Sequence, residues 1–192
     1  MFYQKFIKKE LSEKRYNHSI NVAMAAEDLA IRYSVDKEKA KIAGILHDIT
    51  KEWSKEKHFR FAKEYDIKFS DYELASKKLL HALTGSYYLK YILKIKDHEI
   101  INAVRFHSTA RSDMSLLEKI IYISDFISEE RRFEGVEELR ELSRENLEST
   151  MICGLAYSLH ELVSEKRIIH PNTFKAYNEA IFNKVKIQNI KI

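Results

Sequence analysis

The scarcity of turn-forming residues is the feature that most restricts the fold of this chain. Its 192 residues include one Pro and four Gly, whereas the tight turns of an all-β protein depend heavily on these residue types. Ala, Leu, Lys and Glu, which favour helices, are abundant. The composition therefore predicts an all-α fold class.

Apolar residues at helical spacing predict a series of helices joined by short connections. The first is predicted over residues 2–14, and the second over 17–33 with His18 in its first turn. Pro171 lies where a break before the last helix is expected. Further helices are predicted at 82–93, 98–106, 146–163 and 172–185. No Gly/Ser linker interrupts the pattern, so one domain is predicted over 1–192.

Polar residues that can cap helix N-termini mark four of the predicted starts. They are Asp36, Ser54, Ser70 and Ser115. Glu73 and Glu118 follow two of these residues at a distance of three, which predicts two capping boxes. The helix after Ser115 contains Asp125.

Charge and cysteine content restrict the partners and the compartment. The 33 basic and 29 acidic residues are interleaved and give a net charge of +4, which is weak evidence for a nucleic-acid partner and is compatible with a small, highly anionic ligand. A single cysteine, Cys153, excludes an internal disulfide and predicts a reducing cytoplasm. We expect it to be a buried small hydrophobe. No signal-peptide or membrane-spanning stretch is visible, which predicts a soluble protein with no membrane partner.

The adjacent pair His47-Asp48 is the strongest chemical signal. It follows the apolar residues Gly44, Ile45 and Leu46. An imidazole beside a carboxylate suits a divalent cation, and the two oxygens of an aspartate can bridge two cations. A metallohydrolase is therefore the first hypothesis.

The other candidate ligands are isolated along the chain. They are His18, His81, His107 and Asp125. No two of these histidines are three or four residues apart, so the short zinc signature on one helical turn is absent. A metal site must then be assembled from several helices, as the interior of a helical bundle allows.

The order of these residues and the text around them resemble a known family. The series of a lone histidine, a His-Asp pair, two further histidines and a later aspartate is similar to the HD-domain metal-dependent phosphohydrolases. The flanking text is closest to the YqeK-type bacterial symmetrical diadenosine tetraphosphate hydrolases. That text is His47-Asp48-Ile49-Thr50-Lys51, Arg105-Phe106-His107-Ser108-Thr109, residues 117–125 and Arg131-Arg132-Phe133.

The resemblance implies an arrangement of metals. It implies an HD-domain helical bundle over about 15–130, with C-terminal helices over about 134–188 packed on it. His18, His47, Asp48 and Asp125 would hold one metal, Asp48 would bridge, and His81 with His107 would hold the second. Two iron ions are implied, although manganese or another divalent ion also suits these ligands. Ala110, where the family often has glycine, and Ser124, where alanine is common, are departures next to the ligands.

The resemblance also implies the reaction, which is cleavage of dinucleoside polyphosphates to two ADP. Two cations roughly 3.5–4 Å apart can share a water and direct the resulting hydroxide at phosphorus. We expect Asp48, Lys51 and Arg111 to be catalytic, because lysine and arginine can neutralise phosphoryl charge. Lys51 and Arg111 would also bind substrate, together with Arg131 and Arg132 at the distal phosphates.

Several alternatives remain open at this point. A nucleotidase acting on a mononucleotide, a helical module that binds a nucleotide without turnover, and an oxygen-activating di-iron enzyme would use similar ligands. Trp53, Tyr87 and Tyr88 can stack on adenine, but aromatic residues of a helical protein more often lie in the core. His58, His98, His160 and His170 are expected to be surface or structural residues. The helices after residue 140 can cover the core or form a homodimer.

Overall fold

The computed structural model describes residues 2–190, and the side chains of residues 2–184. Within that range all regular structure is helical, which confirms the predicted all-α class. The helices are α1 Phe2–Glu10, α2 Glu13–Arg32, α3 Lys37–Leu46, α4 Lys55–Glu64, α5 Asp71–Leu74, α6 Lys77–Tyr91, α7 His98–Phe106, α8 Leu116–Ile127, α9 Val136–Glu145, α10 Leu147–Ser164 and α11 Pro171–Ile190. None of the described helices is both long enough and apolar enough to cross a membrane.

Five helices form the centre of the molecule. Helix α2 packs on α3 and α8, and α7 packs on α3, α6 and α8. Their buried faces are apolar and form one continuous core, with Leu29, Ile45, Val104 and Ile120 inside it. Helix α1 lies against α2 and α3, α9 and α10 lie against α8, and α11 lies against α10.

The N-terminal segment differs from the prediction of one helix over 2–14. Helix α1 ends at Glu10, and Ser12 caps a new helix because its hydroxyl accepts a hydrogen bond from the backbone N–H of Arg15. Ser12 also donates to the carboxylate of Glu52. Helix α2 therefore starts at Glu13, and His18 lies in its second turn rather than its first.

All four predicted N-caps are confirmed. The side chains of Asp36, Ser54 and Ser70 accept hydrogen bonds from the first turns of α3, α4 and α5, and Ser70 forms the complete capping box with Glu73. Of the second predicted capping box, only the hydrogen bond to the Ser115 side chain forms, so the prediction of a complete box is wrong. Ser115 accepts from the N–H of Glu118, but the Glu118 carboxylate is bound by Arg111 instead of the cap.

Gly44 sets the distance between α2 and α3. A Cβ atom added at Gly44 would lie 2.7 Å from the Cα atom of Ala23, which is closer than two carbon atoms can approach. The two helices therefore cross with backbone against backbone, as small residues allow. The crossing brings His18 of α2 towards His47, the residue that follows α3.

A polar network lies between α4 and α6, beneath a second apolar cluster. His58 of α4 is 1 % exposed, and its Nδ1 lies 2.8 Å from the hydroxyl of Thr84. Thr84 is 3.0 Å from the Thr50 hydroxyl, which donates to the carbonyl oxygen of His81. The cluster above contains Phe61 and Leu83, with Trp53, Tyr87 and Tyr88 packed against it, so the core role expected for these aromatic residues is confirmed.

Two small residues occupy unexpected environments. Cys153 is exposed, so the prediction of a buried cysteine is wrong, because the face of α10 that packs inward carries Gly154 and Leu155 instead. Ala110 is fully buried with φ +56°. A left-handed conformation costs a non-glycine residue about 1–2 kcal/mol, which explains why glycine suits this position.

We predict that Gly44→Ala lowers the free energy of unfolding by about 1–3 kcal/mol, because the new methyl group must push α2 away from α3. Urea denaturation followed by circular dichroism measures the change. Gly154→Ala in α10 is the matched control, since its Cβ would lie no closer than 3.4 Å to a neighbouring atom, the end of the Ile123 side chain. Equal stability of the two variants would contradict the close approach at Gly44.

We also predict a contribution of His58 to acid unfolding. Burial lowers the pKa of His58 to about 4 from an ordinary 6.5, so the unfolded chain binds a proton that the folded chain resists. The contribution is fully present above pH 6.5 and is lost as the pH falls towards 4. Between pH 7 and pH 4.5 this loss lowers the free energy of unfolding by about 2.5 kcal/mol.

Denaturant unfolding of His58→Gln at both pH values tests this assignment, because the variant cannot titrate at this position. The drop in stability between the two pH values should be smaller in the variant by on the order of 2 kcal/mol. An unchanged drop would show that His58 does not resist protonation.

Candidate metal centre

Four of the six sequence-predicted ligands form one group, in which His18 and His47 face one oxygen of Asp48 and Asp125 contacts His18. Asp48 Oδ2 lies 3.4 Å from His47 Nε2 and 3.6 Å from His18 Nε2. His18 Nε2 is also 3.2 Å from Asp125 Oδ1 and 3.2 Å from His47 Nε2. One ligand atom from each of His18, His47 and Asp125 can therefore surround a single cation.

The remaining two predicted ligands meet at the other oxygen. Asp48 Oδ1 lies 3.0 Å from His81 Nε2 and 3.5 Å from His107 Nε2. The two imidazole nitrogens are 3.0 Å apart. The carboxylate of Asp48 thus lies between two groups of side chains, each facing one of its oxygens.

The hydrogen bonds at the far sides of the rings show what these groups are suited to hold. His47 Nδ1 donates to the carbonyl oxygen of Gly44 and His107 Nδ1 to that of Val104, both at 2.7 Å, while His18 Nδ1 donates to Glu130. Because Nδ1 carries the proton in these three rings, Nε2 presents a lone pair. Lone pairs that converge within 3.2 Å repel one another unless a cation lies between them.

Burial and charge keep His81, His107 and Asp48 in the protonation states that metal binding requires. At His18 burial lowers the pKa, but the hydrogen bonds to Asp125 and Glu130 raise it overall. Burial, with Lys51 nearby, lowers the pKa of His81 to about 3, and burial also lowers the pKa of His107. Burial opposes ionisation of Asp48, but His47 and Lys51 hold the pKa of its carboxyl well below the ordinary value. The buried Oδ1 accepts no hydrogen bond from the described residues. An unsatisfied buried carboxylate oxygen beside neutral imidazoles fits a bound cation.

Helix ends place most of these side chains. His47 follows α3 and His107 follows α7, each as the C-terminal cap. The carbonyl groups of a last helical turn lack partners within the helix, so Gly44 and Val104 are free to accept from the imidazoles. His81 lies in α6, which starts at Lys77 rather than at the predicted residue 82.

Two of the four residues predicted from the sequence to bind phosphate contact the predicted metal ligands. Lys51 Nζ lies 3.0 Å from His81 Nε2 and 3.4 Å from Asp48 Oδ1. Arg131 donates to the carboxylate and to the carbonyl oxygen of Asp125. Arg132 is exposed nearby and donates to backbone carbonyls of its own loop.

Arg111 is placed differently from the other predicted phosphate contacts. Its Nε and one terminal nitrogen donate to the Glu118 carboxylate, both at 2.8 Å, and the guanidinium lies 4.8 Å from the ring centre of Phe106. These partners of Arg111, together with the carbonyl oxygen of Ser112, are not among the six predicted ligands. Its catalytic role stays a prediction.

Two charged residues that the sequence did not suggest also reach the cluster. Arg15 donates to Asp48 Oδ2 at 2.6 Å, and Glu130 accepts from His18, Asn21 and Ser128. These bonds lower the pKa of Glu130 to about 2, against the opposing effect of burial. Arg15 precedes His18 by three residues, so helical spacing alone could have placed both on one face.

Arg140 of α9 fixes the loop that carries Glu130 and Arg131. Its guanidinium donates to the carbonyl oxygens of Ile127 and Ser128, both at 2.9 Å, and to those of Glu129 and Arg131 at 3.4 and 3.2 Å. Four backbone contacts from one side chain hold the turn after α8. The loop whose Glu130 carboxylate orients His18 is therefore supported by the helix that follows it.

The arrangement of helices and ligands defines the class to which the chain belongs. The family model of the HD domain matches residues 15–129, the segment that contains all six ligands. HD domains are metal-dependent. The chain belongs to the HD domain family and, within it, is related to proteins named symmetrical bis(5'-nucleosyl)-tetraphosphatase.

Individual relatives cover nearly the whole chain. The protein of that name from Halalkalibacterium halodurans is 37 % identical over 91 % of this chain and 93 % of its own length. The one from Bacillus subtilis is 34 % identical over 90 % and 92 %. The crystal structure of a protein described as a predicted HD superfamily hydrolase involved in NAD metabolism, from Clostridium acetobutylicum, is 36 % identical with a TM-score of 0.90, covering 94 % of this chain and 96 % of that one.

We predict that Glu130→Gln weakens metal binding at the position held by His18. The neutral amide oxygen can still accept from His18 Nδ1, but it no longer increases the basicity of the imidazole, and loss of such a carboxylate partner lowers metal affinity by about 10- to 100-fold. Titration with Mn²⁺ followed by metal analysis should show one weakened and one retained position. Glu129→Gln is the matched control, because Glu129 is exposed on the same loop. Equal metal content in both variants would contradict the role of Glu130.

Proposed function

We propose that this protein hydrolyses diadenosine tetraphosphate and related dinucleoside polyphosphates symmetrically, releasing two nucleoside diphosphates. The observation that supports this most directly is the Asp48 carboxylate, whose two oxygens face two separate groups of ligands. Such a carboxylate can bridge two cations, which is the arrangement used for in-line displacement at phosphorus. The names of the relatives supply the substrate class.

The six ligands would hold two divalent ions, which would supply a water of lowered pKa and neutralise charge on the phosphoryl oxygens. The side chains of this chain have the remaining tasks. Lys51, beside His81, would bind a phosphoryl oxygen on one side of the cluster. Arg15 and Arg131, which contact Asp48 and Asp125, would do so on the other side. These three cationic side chains around the reacting phosphates would stabilise the charge that develops on a departing diphosphate.

The identity of the metal and the setting of the protein belong to the same proposal. We propose iron as the resident metal, since imidazole and carboxylate ligands suit Fe²⁺, and manganese as a functional replacement. We propose a cytoplasmic location, which agrees with a chain that has one free cysteine. The proposed unit is one domain, with α9 to α11 packed on the HD core.

Product analysis tests the proposed function. The Mn²⁺-loaded protein should convert diadenosine tetraphosphate to ADP alone, which anion-exchange chromatography resolves from ATP and AMP. Release of ATP with AMP would refute symmetric cleavage. Turnover of a mononucleotide in preference to the dinucleotide would assign the chain to the nucleotidases instead.

We predict that Asp48→Ala reduces ADP release by more than about 100-fold, because neither group of ligands then shares a carboxylate. Circular dichroism should show unchanged helicity, since Asp48 lies beyond the end of α3. Asp28→Ala is the control, an exposed aspartate of α2 outside the cluster. Activity retained by Asp48→Ala would refute the bridging role.

A further inference from the structure

Two clefts open on opposite sides of the metal ligands. The first, which we call the His18 cleft, has a volume of about 630 Å³ and is lined by His18 and Asp125. The second, the His107 cleft, has a volume of about 270 Å³ and is lined by His107 and Asp125. His18 lines only the first cleft and His107 only the second, so the clefts reach the cluster from different sides, and Asp125 lies between them.

A shared wall separates the two clefts. Phe126, Tyr157 and Glu161 line both of them, together with Asp125. The rings of Phe126 and Tyr157 meet edge to face with their centres 6.1 Å apart. An aromatic wall beside both clefts offers apolar surface to a base on either side.

The clefts carry similar charges. Lys14, Arg15, Arg131 and Arg132 line the His18 cleft, and Lys51, Lys78 and Arg167 line the His107 cleft. Cations along both approaches suit an anionic chain that passes through the ligand cluster from one cleft to the other. A ligand charged at one end only would need just one such cleft.

Apolar residues complete each cleft beyond its cations. Phe133 lies in the His18 cleft, with its ring centre 4.7 Å from that of Tyr157. Leu79, Leu162 and Ile168 line the His107 cleft. The exposed Glu161 carboxylate between them would repel phosphate, but it can accept hydrogen bonds from ribose hydroxyls. Both clefts thus combine apolar and polar surface in the way a nucleoside requires.

We propose that the two clefts are two nucleoside diphosphate subsites, one for each half of the substrate, and that their placement on both sides of Asp48 selects the central phosphate linkage for cleavage. This inference rests on the proposed function. A substrate anchored at both ends can present only the middle of its phosphate chain to the cluster. Cleavage of that anhydride leaves one nucleoside diphosphate in each cleft, with water supplying the oxygen and the proton that complete the products.

The number of ADP sites tests the proposal. Isothermal titration of the Mn²⁺-loaded protein with ADP should give two ADP per chain. Lys14→Ala/Arg132→Ala should weaken one of the two sites by about tenfold or more, and Lys78→Ala/Arg167→Ala the other, because a hydrogen bond to a charged group contributes on that scale. Both pairs should raise KM for diadenosine tetraphosphate. Lys63→Ala, at an exposed lysine of α4 outside both clefts, should change neither quantity.

The outcomes separate this inference from the proposed function. One ADP per chain in the unchanged protein, or ADP binding and KM left unchanged by the Lys78→Ala/Arg167→Ala pair, would overturn the two subsites while leaving the hydrolase intact. Two ADP sites without any release of ADP from diadenosine tetraphosphate would refute the proposed function alone. Single changes at the exposed Lys14 and Lys78 repeat the test where a double variant fails to fold.

Discussion

The Asp48 carboxylate has a different set of partners at each of its two oxygens, and the surrounding helices are arranged to supply them. Three imidazoles present lone pairs towards it, and pairs of Nε2 atoms approach to 3.2 and 3.0 Å. Such a concentration of acceptors is stable only where cations or cationic side chains compensate for it. Arg15 and Lys51 contact the two oxygens of Asp48 in this structure. The same positions are where an anionic substrate needs positive charge.

Helix termini let the fold hold these imidazoles without losing backbone hydrogen bonds. His47 and His107 both cap the C-terminal ends of helices, and each donates to a carbonyl group of the last turn. One hydrogen bond therefore satisfies a carbonyl oxygen, sets the tautomer and aims Nε2 at Asp48. The partial negative charge of a helix C-terminus also favours a cation at this point. The close crossing at Gly44 then brings α2, with His18, to the same place.

Local signals in the sequence were enough for the helices, and long-range contacts account for what they missed. The caps at Asp36, Ser54 and Ser70 depend on residues two or three positions away, so they could be predicted. The position of the Glu118 carboxylate could not be predicted in this way, because Arg111 binds it from the preceding loop. The six predicted ligands rest on their order and on family resemblance, because spacing alone would not have suggested them. Glu130 and its support by Arg140 escaped notice because 112 residues separate Glu130 from His18.

The predicted metal ligands and the residues that line the outer parts of the clefts lie in different parts of the chain. The six ligands fall within residues 15–129, the part that matches the HD domain, and that part contains the chemistry of the proposed reaction. Tyr157 and Glu161 of α10 line both clefts, and Arg167 of the loop after α10 lines the His107 cleft, all beyond the matched segment. A metal cluster alone treats every phosphoanhydride alike, since it recognises only phosphoryl oxygens. The C-terminal helices are therefore where a choice between a dinucleotide and a mononucleotide can be made, because they form the surfaces that a second nucleoside would occupy.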